Sequence, residues 1–148
     1  MASSWSRWRA LTRHEQALFT KAWILLVSAR LMWNLVPFRW IWKVAGGVAT
    51  PPTSPLATRE IDNIRRAIER ASARVRGATC LTRGLAAAIL LRFARLPHQL
   101  LIGVWKSGEE GFSAHAWVVS EEKIVVGNLP DLARYIPLPI GAAIPPLH

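Results

Sequence analysis

Cys80 is the sole cysteine in a chain of 148 residues, and it opens the apolar run CLTRGLAAAILLRFARL. Side chains that could act with it lie downstream: His115 in SAHAWVVS, then Asn128 and Asp131 in GNLPD. A thiol reacts as its thiolate, and a helix N-terminus stabilises a thiolate through free backbone N–H groups and the helix dipole. The same N–H groups can hold an oxyanion. A cysteine on the first turn of a helix is therefore both activated and next to an oxyanion hole. A plainer reading of the same run is that Cys80 is a small core residue, since free cysteine is among the most buried residue types.

A nucleophilic cysteine needs a base. His115 is flanked by Ala114, Ala116 and Trp117, in a stretch with strand character. An imidazole in such a place is costly to bury without a partner, and a half-exposed strand histidine is the alternative. Cysteine and histidine distant in sequence and adjacent in space are the expected layout for thiol catalysis. A third group should orient the imidazole. If Glu121-Glu122 form a two-residue turn, Ser120 pairs with Lys123 and His115 faces Asn128. Opposed residues on antiparallel strands have Cβ atoms about 4.5–5.5 Å apart, so the Asn128 side-chain oxygen could accept from the ring. Asp131 is the second candidate, within reach if the chain bends at Pro130.

The other residues of chemical interest carry less. His14 sits at a helix start, His98 follows Pro97 in what reads as a solvated loop, and His148 ends the chain. Gln99 could donate to an oxyanion, but nothing in the sequence fixes its position. The pairs Glu109-Glu110 and Glu121-Glu122 read as solvated loop tips. No Gly/Lys phosphate loop and no Cys/His cluster with zinc spacing is present, so neither a metal nor a cofactor is expected.

The positioning elements follow from periodicity. Residues 12–35 predict a long helix with Glu15 near its start and apolar residues nearly all the way round from Leu18 to Val36, which calls for cover by protein on most sides. Pro37 and the segment ATPPTSP then break the chain. Residues 55–76 predict a second helix, started by Ser54-Pro55. Ile61, Ile64, Ala67, Ile68, Ala71 and Val75 line one of its faces, and Arg65, Arg66, Arg70 and Arg74 the other. That arginine face is either solvated or a docking face for an acidic partner. A third helix over 80–95 presents Leu81, Leu85, Ala88, Ile89 and the stem of Arg92 to the core. After Pro97 the period changes to that of strands, at 99–106, 113–120 and 123–128, followed by a proline-rich irregular tail. Helices first and an antiparallel sheet after make an α+β fold.

Charge divides the chain. Residues 1–79 hold 13 Lys/Arg against 4 Asp/Glu, and residues 80–148 hold 6 against 5. Six of the eight tryptophans fall in the first 42 residues. We therefore expect a basic, Trp-rich helical segment over 1–50, suited to an acidic partner or a lipid surface, and a core domain over 51–148. An apolar fraction of 51% excludes a disordered chain. In the most apolar stretch, 18–38, Lys21 and Arg30 leave eight uncharged residues between them, whereas a spanning helix needs about 20. There is no signal-peptide layout, and a lone cysteine forms no internal disulfide. The expectation is a cytoplasmic protein, with weak membrane association through an interfacial Trp/Arg helix as the alternative. Aromatic residues are not interleaved with Lys/Arg as in single-strand nucleic-acid binders, so no nucleic-acid partner is expected.

Three blocks together, CLTRGLAAAILLRFARLPHQLLIGVWK, FSAHAWVVSEEKIVVGN and PDLARYIPL, resemble the leader peptidases of lasso-peptide biosynthesis. These form the peptidase portion of the maturation B protein, within the transglutaminase-like cysteine protease superfamily. The family pattern C-L-x-R-(A/G)-L falls on Cys80, Leu81, Arg83, Gly84 and Leu85, I-G-V on Ile102 to Val104, and A-H-A-W-V on Ala114 to Val118. The resemblance covers about residues 77–138. It implies a transglutaminase/papain-like core and a Cys–His–Asp triad, carried over cleanly for Cys80 and His115. This chain has Gly127-Asn128 near the usual position of the acid, so Asn128 and Asp131 both stand for the third role. The resemblance further implies removal of the leader from a ribosomally made precursor peptide, with a separate leader-recognition protein delivering the precursor and the lasso cyclase as a further candidate partner. No winged-helix-like recognition module is evident ahead of the peptidase, so a stand-alone peptidase is expected. Transglutaminase-type acyl transfer and a non-catalytic basic binding module are the competing readings.

Overall fold

The computed structural model describes residues 8–32, 54–108 and 111–138. Three helices precede a four-stranded antiparallel sheet, the α+β arrangement expected. The helices are α1 (Arg13–Met32), α2 (Pro55–Ser72) and α3 (Cys80–Phe93), and the strands β1 (Gln99–Ser107), β2 (Gly111–Ser120), β3 (Lys123–Val126) and β4 (Ile136–Pro137). Their order in the sheet is β3-β2-β1-β4.

Each helix start is made by local side chains. Before α1, the Thr12 N–H donates to Glu15 Oε2 at 3.0 Å, and the Glu15 N–H donates to Thr12 Oγ1 at 3.2 Å. This reciprocal pair satisfies two N–H groups that the helix itself cannot. Ser54 caps α2, its hydroxyl accepting from the Ala57 N–H at 3.3 Å, with Pro55 opening the first turn. Thr79 caps α3 through the same reciprocal pattern with Thr82.

α3 is the central element, packed against α1, α2 and strands β1 to β3. Thr82, Gly84 to Ala88, Leu90 and Leu91 are all buried. This corrects the expectation of a single core-facing stripe. Leu81 and Ile89 are only half-buried and Arg92 is exposed, while Ala86, Ala87, Leu90 and Leu91 are enclosed. With protein on several sides, an apolar helix need not be amphipathic. α2 follows the periodicity closely, burying Ile61, Ile64, Ala67, Ile68 and Ala71, although it ends at Ser72 rather than residue 76.

α1 contributes Leu18, Ala22 and Leu26 to the same core as α2, α3 and the sheet. The division expected at residue 50 lies outside the described residues. The cover expected around α1 is only partial among the described residues: Trp23, Ile24 and Leu31 are exposed. The arginine face of α2 is partly knitted to its surroundings. Arg65 pairs with Asp62 and Glu69, Arg70 approaches Glu15 at 3.9 Å, and the Arg74 guanidinium lies 5.1 Å from the centre of the Phe19 ring.

β1 and β2 pair without interruption from Gln99↔Val119 to Ser107↔Gly111. Alternation then assigns Ala114, Ala116 and Val118 to the face that meets α3, and Ser113, His115 and Trp117 to the other. Gly103, opposite His115, is what lets Trp117 lie across the sheet. A Cβ there would stand 2.7 Å from the edge of the Trp117 ring and 3.0 Å from Tyr135 Cβ.

The hairpin register departs from the expectation. Ser120↔Lys123 and Val119↔Ile124 pair as a two-residue turn requires, but the next pair is Val118↔Val126. One extra residue in β3 forms a bulge, and pairing ends at Val126 rather than 128. Asn128 is therefore not opposite His115. His98 is also not a solvated loop residue: only 5% of it is exposed, and its Nδ1 donates to the Leu96 carbonyl at 2.9 Å.

Candidate active site

Cys80 and His115 line one cleft of about 390 Å³, together with Arg65, Glu69, Arg83 and the run Ile124 to Leu129. The two elements that bring them there are the N-terminus of α3 and the middle of β2. Cys80 is half-buried and is the first residue of α3. The Thr82 N–H is engaged by Thr79, and the Arg83 N–H by the Thr79 carbonyl at 3.0 Å. Among the described residues the N–H groups of Cys80 and Leu81 have no backbone acceptor. These two donors are what the first turn leaves available to an anion.

His115 reaches the cleft from the sheet face turned away from α3. Its ring is held between Trp117, nearly parallel at 6.2 Å between centroids, and Tyr135 at 5.6 Å. Tyr135 is fixed in turn by a 3.1 Å hydrogen bond between its hydroxyl and Ser113 Oγ, and by an edge contact with Trp105. His115 Nε2 lies 2.7 Å from the Gly127 carbonyl oxygen. A carbonyl can only accept, so Nε2 carries the proton and Nδ1 of the neutral ring presents its lone pair. No hydrogen bond joins the ring to Cys80 Sγ.

Gly127 explains how a main-chain oxygen comes to this point. Its φ of +87° is a conformation that favours glycine. The backbone there lies against β2 so closely that a Cβ would stand 2.5 Å from the Ala116 carbonyl oxygen and 2.8 Å from Trp117 Cα. The bulge in β3 and the left-handed Gly127 together place its carbonyl beneath the imidazole.

Neither expected third group bonds the imidazole. Asn128 is exposed and lines the cleft, but it makes no hydrogen bond to His115. Asp131 is half-buried and precedes the short 3-10 turn Leu132–Arg134. Its carbonyl accepts from the Arg134 N–H, its side chain makes no capping bond, and it is not among the residues lining the cleft. Gly127 was not expected at the site because it acts through its main-chain carbonyl rather than a side chain. The available signal was the glycine directly after the Val-Val run, which marks a bulge or close approach at a strand end. Arg65, Glu69 and Arg83 were also not expected at the cleft; they come from helices whose relative placement the sequence does not give. His14 is remote, bonded to Glu60 at 2.9 Å. Among the described residues no group of three His, Cys, Asp or Glu could hold a metal ion. None of the described helices is long and apolar enough to cross a membrane.

Residues 23–139 match the model of the transglutaminase-like superfamily. The chain belongs to this superfamily. No curated protein and no solved structure matches it significantly. The transglutaminase-like superfamily includes cysteine proteases and acyltransferases, both of which work through a thiol nucleophile. The matched region begins inside α1, which agrees with the packing of that helix into the common core.

Proposed function

We propose that this transglutaminase-like chain is a cysteine endopeptidase that removes the leader from a ribosomally made lasso-peptide precursor. The observation that carries the reading is that Cys80, at the start of α3, lines the same cleft as a histidine whose Nε2 is tied to a carbonyl. The three sequence blocks resembling the lasso leader peptidases supply the substrate class. In the proposed reaction the Cys80 thiol gives its proton to His115 Nδ1, and the sulfur attacks the carbonyl carbon of the leader–core bond. The N–H groups of Cys80 and Leu81 receive the oxyanion. The imidazolium then protonates the departing core amine, leaving the leader as a thioester on Cys80. Water, deprotonated by Nδ1, adds to the thioester; the C–S bond breaks, the leader leaves as a free acid, and the imidazolium returns the proton to Cys80 Sγ. The ring needs only one tautomer for both halves, and the Gly127 carbonyl supports that tautomer throughout.

A leader-recognition protein would deliver the precursor, and the freed amine would pass to a separate cyclase, all in the cytoplasm. Transfer of the acyl group to an amine instead of water uses the same residues and differs only in its products. A non-catalytic basic module is less well supported, because several α2 arginines are already engaged with Asp62, Glu69, Glu15 and Phe19. The test is to mix the protein with precursor and recognition partner and follow the products by mass spectrometry. Two free peptide ends, lost in Cys80→Ala, support the peptidase. A new amide supports transfer, and cleavage that survives Cys80→Ala rules out both.

A further inference from the structure

Three charged side chains line the cleft beside Cys80: Arg65, Glu69 and Arg83. Two of them neutralise each other. Arg65 Nη1 lies 3.0 Å from Glu69 Oε1, with Asp62 3.5 Å from its Nε. Among the described residues Arg83 has no counterpart of this kind. No ion pair reaches it, and its Nε is buried without an acceptor among the described residues. The cleft therefore keeps one uncompensated positive charge, added to the positive end of the α3 dipole.

The place of Arg83 on α3 says what that charge can meet. It follows Cys80 by three residues, one turn along the same helix face. Helical side chains lean toward the N-terminus and cover the preceding turn, which directs the guanidinium toward Cys80. An Arg fork matches a carboxylate in bidentate geometry, and a buried N–H donor without an acceptor is costly until a ligand supplies one.

We propose that Arg83 is a specificity determinant that binds an Asp or Glu side chain of the peptide within two residues of the bond attacked by Cys80. The proposal rests on the reading of Cys80 as a peptidase nucleophile. It differs from an oxyanion role for Arg83, which would serve every substrate alike.

The test uses the full chain carrying Cys80→Ala, which binds without turnover. The probes are fluorescein-labelled peptides spanning the leader–core junction, in matched pairs with Asp or Asn at each of the two positions on either side of the scissile bond. At one position the Asp peptide should bind about tenfold more tightly than its Asn twin. Adding Arg83→Gln should erase that ratio, Arg83→Lys should leave part of it, and Arg83→Glu should invert it in favour of the Asn peptide. A ratio near one at all four positions, or one unchanged by all three Arg83 substitutions, overturns the proposal. The Lys and Glu variants keep the test decisive if the Gln variant does not fold. Cleavage by the chain with Cys80 intact is read separately, with full precursor and recognition partner present. Cleavage without an Arg83-dependent carboxylate preference removes this inference and leaves the peptidase. An Arg83-dependent preference without cleavage removes the peptidase and leaves the carboxylate site.

Discussion

His115 Nε2 donates to the Gly127 carbonyl oxygen across 2.7 Å, so the orienting partner of the imidazole is main chain rather than side chain. A carbonyl fixes the tautomer, as a carboxylate does, but carries no full charge toward the imidazolium. The side chains expected to share this role should matter little. Asn128→Ala and Asp131→Ala are each expected to keep kcat/KM for precursor cleavage within about tenfold of the parent, whereas His115→Ala should lose a factor of about a thousand or more. A loss in Asn128→Ala as large as in His115→Ala would show that Asn128 swings in to orient the ring.

The same bond makes Gly127 the most sensitive backbone position near the cleft. Gly127→Ala must place a Cβ 2.5 Å from the Ala116 carbonyl oxygen at a φ of +87°. The chain has to move, carrying the 127 carbonyl away from Nε2. We expect a stability loss of about 1–3 kcal/mol by denaturant unfolding, with cleavage falling further than the fraction unfolded explains. Unchanged activity would mean that the Gly127 contact does not set the ring.

How much of this was legible in the sequence depended on how local the cause was. The Ser54-Pro55 start and the Ile/Ala spacing of α2 are local, and they predicted that helix and its buried face. Cys80 at a helix start and His115 on a strand were visible from residue types and period alone. The position of Asn128 was not, because a single bulge residue in β3 shifted the pairing, and a shift of one reverses which side chains share a face. The burial of α3 on several sides was also hidden, since a helix's neighbours are a property of the whole fold. Arg83 was visible as a motif letter, but its lack of a counter-charge among the described residues is a tertiary fact.

The β2–β3 turn carries a cost that substitution should relieve. Glu121 and Glu122 adopt φ of 51° and 62°, the signs of a type I′ turn, where Asn-Gly is favoured and glutamate is not. Replacing the pair with Asn-Gly is expected to raise unfolding stability by about 1 kcal/mol, with activity unchanged. A lower denaturant midpoint would indicate that the glutamates make compensating contacts.

Stability at acid pH should carry a signature from the start of α1. Hydrogen bonds from the Thr12 backbone and then the Thr12 hydroxyl, aided by Arg70 and Arg66, hold the Glu15 carboxyl below its ordinary value of 4.5. A carboxyl depressed on folding stabilises the folded state above its unfolded value, and that contribution is lost as pH falls through the lower folded value. Glu15→Gln should therefore reduce the thermal midpoint near neutrality, with the gap to the parent narrowing below pH 4.5. A gap that stays constant down through that range would contradict the assignment.

The most direct measurement is intact-mass spectrometry of an acid-quenched reaction of the full chain with precursor and recognition partner. A covalent species is expected whose added mass equals the leader less one water, mapping after digestion to Cys80 as a thioester. It should be absent in Cys80→Ala, and in His115→Ala it should form far more slowly. Leader release with no such species and no loss in Cys80→Ala, or an adduct on another residue, would contradict the assignment of Cys80 as the nucleophile and His115 as its base.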